Sequence, residues 1–305
     1  MTYLETGGYA YVKVAVATVW RQPEAVREKD RPALSYPVDM DGWLAAMTHD
    51  DKLDLLGRVD TQCLYGEKVL VKQVVNEWAQ IEALSQPGNS GAQSYPGWVP
   101  VAQLTRAKEL DKADYMEMVV VTSVKAPIYQ DPGLQQPALV VSYNTQLPLV
   151  DETDSFYQVR TPDGERWVKK SDGERCGQRA LTGENLVEEA SRFIGLEYLW
   201  GGTSAWGFDC SGLAHTIHKR FGKIVPRDAG DQFSYGTPLS REELRTGDLV
   251  FFAHDEGKGS IHHVGFYIEG GKLLHAPKTG KSVEIIDLWN HDLFPKEFVG
   301  GCRFF

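Results

Sequence analysis

The stretch Gly207-Phe208-Asp209-Cys210-Ser211-Gly212 decides the fold of the C-terminal part of the chain, because it places a cysteine at the start of a predicted helix. Behind it, Leu213, Ile217 and Phe221 recur at helical spacing and form one apolar side. At a helix start, the macrodipole and the unpaired backbone amides favour the thiolate over the thiol. The same amides can hold a developing oxyanion, so Cys210 is a candidate nucleophile for acyl transfer.

The remaining cysteines and most histidines carry no comparable signal. Cys63, Cys176 and Cys302 lack the paired spacing of a zinc site, and we interpret them as small core residues, the commoner role of an unpaired cysteine. His215 and His218 are three residues apart on the predicted helix, but no acidic third ligand accompanies them. We therefore predict no metal site and no cofactor.

A thiol nucleophile needs a base, and the base needs a group that orients it. The stretch His262-His263-Val264-Gly265-Phe266-Tyr267-Ile268 indicates a strand whose even-numbered residues after His262 are apolar. The other face carries His263, and Gly265 permits a close approach there. His275 follows twelve residues later in another predicted strand. We predict that His263 is the base and that His275 orients it.

The turn between these two strands decides whether the imidazoles can meet. Opposed residues of an antiparallel pair share a face, so His263 and His275 face the same way only if opposed residue numbers have an even sum. A two-residue turn at Gly270-Gly271 gives an odd sum and separates them. We therefore predict a three-residue or bulged turn, which makes them diagonal neighbours.

The order of elements after residue 180 is typical of an α+β domain. An apolar helical stripe that includes Leu186, Ala190 and Phe193 comes first, and the Cys210 helix follows it. Four predicted strands come afterwards, at 249–252, 263–268, 273–276 and 282–286. We assign 181–305 to this domain.

The part before residue 180 shows short strands joined by tight turns in two similar units, each ending in Trp-Val at Trp98 and Trp167. This pattern favours two small β-barrels, at 1–110 and 111–180, over two unrelated hairpin regions. The first carries an insertion at about 23–56 with helical spacing of apolar residues, which we interpret as a helical hairpin. Within it, Thr48 and Asp51 match a capping box.

Charge and hydrophobicity limit the partners. The formal net charge is −10 at pH 7, which argues against nucleic acid or an anionic membrane and suits an amine-bearing ligand. No apolar run approaches the length of a membrane span. The N-terminal residues lack the order of a secretion signal, so we expect a cytoplasmic protein, or an exported one if a leader precedes this sequence.

Five motifs together resemble the NlpC/P60 family of papain-like cell-wall peptidases. They are Tyr198-Leu199-Trp200-Gly201-Gly202, Phe208-Asp209-Cys210-Ser211-Gly212, Thr246-Gly247-Asp248-Leu249-Val250-Phe251-Phe252, His263-Val264-Gly265-Phe266-Tyr267-Ile268 and His275-Ala276. The resemblance spans most of 183–305 and implies Cys210 as nucleophile, His263 as base and His275 as the third polar residue. It implies a papain-like domain, here preceded by two bacterial SH3-like barrels.

The order of barrels and peptidase domain resembles, more narrowly, the YkfC-type γ-D-glutamyl-L-diamino-acid endopeptidases. That resemblance implies an enzyme for cell-wall peptide recycling, which cuts free L-Ala-γ-D-Glu-L-Lys or its diaminopimelate counterpart after D-glutamate. We expect a monomer. The resemblance also implies that acidic groups bind the α-ammonium of the peptide. The residues expected to line this pocket are Glu67, Tyr95, Tyr198, Trp200, Asp209 and Ser211.

Other interpretations of these residues and of the whole chain remain open. Glu67 can be a solvated turn residue, Tyr95 part of a barrel core, Trp200 packing beneath the helix, and Asp209 solely a helix cap. The chain can also be a wall-bound hydrolase anchored by its barrels, or an inactive wall-binding module. Retention of Cys210 and both imidazoles speaks against the inactive module.

Overall fold

The computed structural model describes residues 4–88, 94–111 and 117–305, which fall into two compact units. The first unit comprises the described residues up to Ser85, together with Pro96–Gln178 and Ser204–Trp206. The second comprises the described residues of 86–95, together with Arg179–Thr203 and Gly207–Phe305.

The first barrel is one seven-stranded sheet in the order β3-β2-β6-β5-β4-β1-β7. Its strands are β1 (Tyr9–Val12), β2 (Val16–Trp20), β3 (Val59–Leu64), β4 (Lys68–Val75), β5 (Trp78–Ala83), β6 (Tyr95–Pro100) and β7 (Leu104–Thr105). Between β2 and β3 lie α1 (Arg31–Leu34), α2 (Met40–Ala46) and α3 (His49–Leu53), with 3-10 turns at Pro23–Ala25 and Glu28–Asp30; a third follows β6 at Val101–Gln103.

The insertion differs from the predicted helical hairpin. It consists of short helical segments, because Pro23, Pro32 and Pro37 cannot donate backbone hydrogen bonds within a longer helix. The fully buried Asp30 carboxylate organises them by accepting a hydrogen bond from the Trp43 indole N–H at 2.9 Å. The Thr48 capping box at the start of α3 is confirmed.

The second barrel repeats the first strand for strand, in the order β10-β9-β13-β12-β11-β8-β14. Its strands are β8 (Met118–Val121), β9 (Lys125–Tyr129), β10 (Pro137–Ser142), β11 (Gln146–Glu152), β12 (Phe156–Thr161), β13 (Gly164–Lys169) and β14 (Gly173–Arg175). Trp98 pairs with Trp20 in the first sheet, and Trp167 pairs with Tyr129 at the corresponding place in the second. The predicted repeat is therefore confirmed, although both tryptophans are only half-buried.

The second unit combines helices with a six-stranded antiparallel sheet in the order β17-β22-β18-β19-β20-β21. Its elements are α4 (Gly183–Ser191), β15 (Thr203–Ser204), β16 (Gly207–Phe208), α5 (Cys210–Arg220), α6 (Ala229–Tyr235), β17 (Thr237–Leu239), β18 (Leu249–Ala253), α7 (His254–Gly257), β19 (Ile261–Ile268), β20 (Lys272–His275), β21 (Glu284–Asp287), α8 (Phe294–Glu297) and β22 (Phe298–Arg303), with a 3-10 turn at Arg241–Glu243.

Helix α5 packs on the central strand β19, and this contact brings the cysteine toward the histidines. The buried ring of His218 on α5 stacks on Phe266 of β19, with ring centroids 5.7 Å apart. His215 and His218 are thus structural residues, as the sequence interpretation allowed. Across the described part of the chain, no helix has both the length and the apolar character that crossing a bilayer requires.

Candidate active site

Cys210 is the first residue of α5, and Asp209 caps that helix by accepting a hydrogen bond from the Gly212 N–H at 2.6 Å. The Cys210 sulfur interacts with the backbone of Val264, next to His263 on β19, and with the backbone of Ser211. The predicted helix start is therefore confirmed, and the thiol lies beside the predicted histidine strand.

The predicted ionisation of this thiol is wrong for the resting protein. Burial raises the pKa of Cys210 to about 12, and the negative charge of Asp209 acts in the same direction. Hydrogen bonds from Val264 and Ser211 and the charge of Arg227 lower it, but by less. Cys210 is only half-buried by solvent exposure, but the helix start does not overcome this desolvation, which favours the neutral thiol.

The two imidazoles meet as the turn argument predicts. Phe266 opposes Leu274 and Ile268 opposes Lys272, so the sums of opposed residue numbers are even and the turn holds three residues, Glu269-Gly270-Gly271. In this register, Nε2 of His263 lies 2.7 Å from Nδ1 of His275, within hydrogen-bonding distance. The predicted three-residue turn is confirmed.

Gly265 lies on the same face of β19 as His263 and leaves room for His275 on the adjacent strand. A Cβ atom at position 265 would lie 2.9 Å from Cβ of His275 and 2.6 Å from Cδ1 of Leu273. Real Cβ atoms essentially never come closer than 3.0 Å to such neighbours. The absence of a side chain at Gly265 is therefore what allows His275 to approach His263.

Aromatic rings enclose the imidazole pair. Phe294 stacks on His263 with ring centroids 5.4 Å apart and meets His275 edge-on at 5.4 Å. His263 is 3% exposed and His275 2% exposed. Burial therefore lowers the pKa of His263 well below its ordinary value and lowers the pKa of His275 to about 4. Both rings are neutral at pH 7 and can accept a proton.

A buried ion pair supports the residues on either side of the cysteine. Arg227 is 1% exposed and reaches Asp209 through two nitrogens, at 2.6 and 3.1 Å. The same guanidinium donates to the Ser211 hydroxyl at 3.0 Å, and the Gln232 amide donates to the Ser211 carbonyl at 3.0 Å. Asp209 therefore caps helix α5, and its negative charge is paired with Arg227. This pairing weakens the prediction that Asp209 binds an ammonium group.

A second carboxylate, that of Asp228, lies next to this ion pair. The Tyr95 hydroxyl donates a hydrogen bond to Asp228 at 2.9 Å, and Asp228 directly follows Arg227. Asp231 lies close by, since burial and then the charge of Asp228 raise the pKa of Asp231. The structure therefore joins the predicted Tyr95 to an acidic pair that the sequence analysis did not select.

The remaining predicted pocket residues have different surroundings. Tyr198 is buried beside Cys210 and Asp209; burial, followed by these two groups, raises the pKa of its phenol well above its ordinary value. Trp200 is half-buried. Glu67 belongs to the first unit, where its carboxylate accepts a hydrogen bond from the Leu64 N–H in the β3–β4 turn. Its predicted role in substrate binding stays a prediction.

Within the described ranges, no three histidine, cysteine or acidic side chains are grouped so that they could hold a metal ion. The chemistry that this site offers is that of a thiol, an imidazole base and a second imidazole. Such a set is suited to nucleophilic attack on an amide followed by hydrolysis of a thioester.

Comparisons with known proteins agree with this geometry. Residues 195–303 match the model of the NlpC/P60 family, and residues 121–174 match that of the YKFC SH3b2 domain. A crystal structure of an NlpC/P60 family protein from Bacillus cereus is 39% identical, with a TM-score of 0.93, and the match covers 97% of this chain and 99% of that one. The chain belongs to the NlpC/P60 family.

Two curated relatives match over nearly their whole length. The gamma-D-glutamyl-L-lysine dipeptidyl-peptidase of Bacillus cereus is 39% identical over 302 residues, which cover 97% of this chain and 90% of the relative. The protein with the same name in Bacillus subtilis is 40% identical over 293 residues, which cover 95% and 97%. This member of the NlpC/P60 family therefore shares with both relatives the barrels as well as the peptidase domain.

Sequence reasoning missed Arg227, Asp228 and Gln232. Arg227 and Asp209 are 18 residues apart and lie ahead of different helices, so no periodicity connects them. The available signal was Pro226-Arg227-Asp228, a charged pair directly before α6, but no sequence spacing links it to Asp209.

Proposed function

We propose that the chain is a cysteine peptidase that hydrolyses the γ-D-glutamyl-L-lysine bond of cell-wall peptides bearing a free N-terminal L-alanine. The observation that carries the proposal is the hydrogen bond between His263, on the strand β19 beside Cys210, and His275 on the adjacent strand β20. The names of the two full-length relatives support the substrate. Cleavage after the second residue of such a peptide releases a dipeptide, which is the activity that those names describe.

In the proposed mechanism, the resting thiol and imidazole are both neutral. His263 keeps a proton on Nε2 and donates it to Nδ1 of His275, so its Nδ1 remains available to the thiol. As the Cys210 sulfur attacks the carbonyl carbon, the S–H proton moves to Nδ1 of His263. The carbonyl oxygen becomes an oxyanion, and Tyr198, whose phenol stays protonated, can donate a hydrogen bond nearby.

The proton on His263 then passes to the leaving amino group of lysine as the C–N bond breaks. Water, deprotonated by the same imidazole, attacks the thioester and restores the Cys210 thiol. Because both groups start neutral, no charge has to be held in the buried site before the peptide arrives.

The free N-terminus of the peptide is proposed to bind the carboxylate of Asp228. Tyr95 fixes that carboxylate, whereas the Asp209 charge is paired with Arg227. An acylated amine carries no charge, so it could not form an ion pair with this half-buried carboxylate. Discrimination against blocked peptides follows from this cost.

A paired assay tests the proposal. L-Ala-γ-D-Glu-L-Lys and its N-acetylated form are incubated separately with the protein, and the release of lysine is measured for each. We expect cleavage of the free peptide and a loss of at least about 100-fold for the acetylated one. Equal rates would contradict recognition of the amine and favour the alternative of a hydrolase acting on polymer-attached peptides.

The same assay with diaminopimelate in place of lysine measures the preference at the leaving group. Monomeric state and cytoplasmic location stay predictions.

A further inference from the structure

Within the part of the chain that the structure describes, Nε2 of His275, on the side of the ring away from His263, has no hydrogen-bond partner. With Nδ1 of His275 accepting from His263, Nε2 of the neutral ring carries the proton. Among the residues that the structure describes, none accepts a hydrogen bond from this buried nitrogen. A buried donor without an acceptor costs free energy, so the position requires an explanation.

The carboxylate of Glu284 lies near this nitrogen. It is the direct cross-strand partner of His275 in the pairing of β20 with β21, so both side chains lie on the same face. Its Oε1 is 3.9 Å from Nε2 of His275, just beyond hydrogen-bonding distance. The Glu284 side chain is 46% exposed, which leaves it free to change rotamer.

Resting on the function proposed above, we propose that Glu284 is a positioning residue, which closes onto Nε2 of His275 when positive charge develops on the two imidazoles during catalysis. The proton from Cys210 makes His263 an imidazolium, and its hydrogen bond to His275 spreads part of that charge. Glu284 then accepts the Nε2 hydrogen bond as a carboxylate. It takes no proton, so the balance of the reaction is unchanged.

Positive charge on the two imidazoles is stabilised by a nearby negative charge, which a carboxylate supplies. Among the described residues, the imidazoles of His262, on the same strand as His263, and of His291, ahead of α8, disfavour the protonated pair. Aromatic packing by Phe294 adds no compensating formal charge. Glu284 on β21 places a negative charge near Nε2 of His275, on the side of the ring away from His263.

The test compares Glu284→Gln, which keeps the size and removes the charge, with Glu284→Asp, which keeps the charge. Glu269→Gln is the matched control, because Glu269 is an exposed carboxylate in the turn between β19 and β20. We expect kcat to fall on the order of ten-fold in Glu284→Gln with KM little changed, partial recovery in Glu284→Asp, and no effect in Glu269→Gln. An unchanged kcat in Glu284→Gln would overturn the proposal.

A second readout does not depend on the substrate. In an NMR titration of the His275 ring, we expect the midpoint of protonation to move to lower pH in Glu284→Gln relative to the wild type and to Glu269→Gln. The same midpoint in both variants would overturn the role of Glu284. If the wild type does not cleave the peptide, the proposed function fails, while this titration still decides whether Glu284 acts on His275.

Discussion

Arg227 holds the carboxylate of Asp209 through two nitrogens, at 2.6 and 3.1 Å, immediately before the Cys210 thiol. Both partners are buried, and Asp209 also caps the helix that begins at Cys210. The position of the nucleophile therefore depends on an ion pair that itself does no chemistry.

The first prediction concerns this ion pair. Arg227→Met should destabilise the protein by about 3–5 kcal/mol, because it leaves the Asp209 charge buried and uncompensated. Urea unfolding measures the loss. Arg21→Met, at an exposed ion pair with Asp60, is the control and should cost no more than about 1 kcal/mol. Equal losses in the two variants would contradict the importance of burial here.

The second prediction concerns the nucleophile. Cys210→Ala should lower kcat/KM on L-Ala-γ-D-Glu-L-Lys by at least about 10⁴-fold, because no other group forms the thioester. Its unfolding midpoint should remain close to that of the wild type. Cys176 is exposed, so its interpretation as a core residue is wrong, and Cys176→Ala should keep full activity. Activity that survives Cys210→Ala would end the nucleophile assignment.

The third prediction concerns recognition of the substrate amine. Asp228→Asn should raise KM for the free peptide by on the order of ten-fold or more, because it removes the charge that the ammonium would pair with. The preference for the free over the N-acetylated peptide should shrink in parallel. Tyr95→Phe should raise KM and reduce this preference to a smaller extent, since it removes one hydrogen bond to the Asp228 carboxylate but keeps its charge. A preference that Asp228→Asn leaves intact would assign amine binding to another group.

The fourth prediction concerns acid stability. Burial lowers the pKa of His215 to about 3 and of His218 to about 4, whereas an imidazole in the unfolded chain titrates near 6.5. Between these values the unfolded state binds more protons than the folded state. The contribution of these imidazoles to the free energy of unfolding is therefore fully present above about pH 6.5 and is lost as the pH drops toward 4. Urea unfolding at pH 7.5 and pH 5.5 measures this loss.

His218→Phe isolates the contribution of one imidazole, because Phe266 and Phe304 already contact this ring. The loss of stability between pH 7.5 and pH 5.5 should be about 1.4 kcal/mol smaller than in the wild type. His49→Gln, at an exposed position, should leave the loss unchanged. The same pH dependence in both variants would show that His218 is not a titrating group of this kind.

Local sequence patterns predicted the elements that carry the site. The helix start at Cys210 and the pairing of β19 with β20 follow from periodicity and from the geometry of antiparallel strands. The repeated barrel also follows, because its short strands and turns recur in the same order. These features depend on neighbouring residues, which a sequence displays directly.

Features that depend on distant contacts could not be predicted in the same way. The expectation of a thiolate at Cys210 rested on the helix start alone. Desolvation has the larger effect on the pKa of this thiol, and it depends on contacts that the sequence does not display. The helical hairpin expectation considered apolar spacing but gave too little weight to Pro32 and Pro37. Asp228 became a candidate only once the fold brought Tyr95 to it across 133 positions of sequence.

The turn Glu269-Gly270-Gly271 has a consequence for how this protein can vary. Surface loops generally accept insertions and deletions, because they seldom disturb the elements that they connect. Here, adding or removing a single residue would rotate every following side chain of β20 to the opposite surface of its sheet. Homologous enzymes that use the same two imidazoles should therefore vary freely in composition at this turn but conserve its length, or change it two residues at a time.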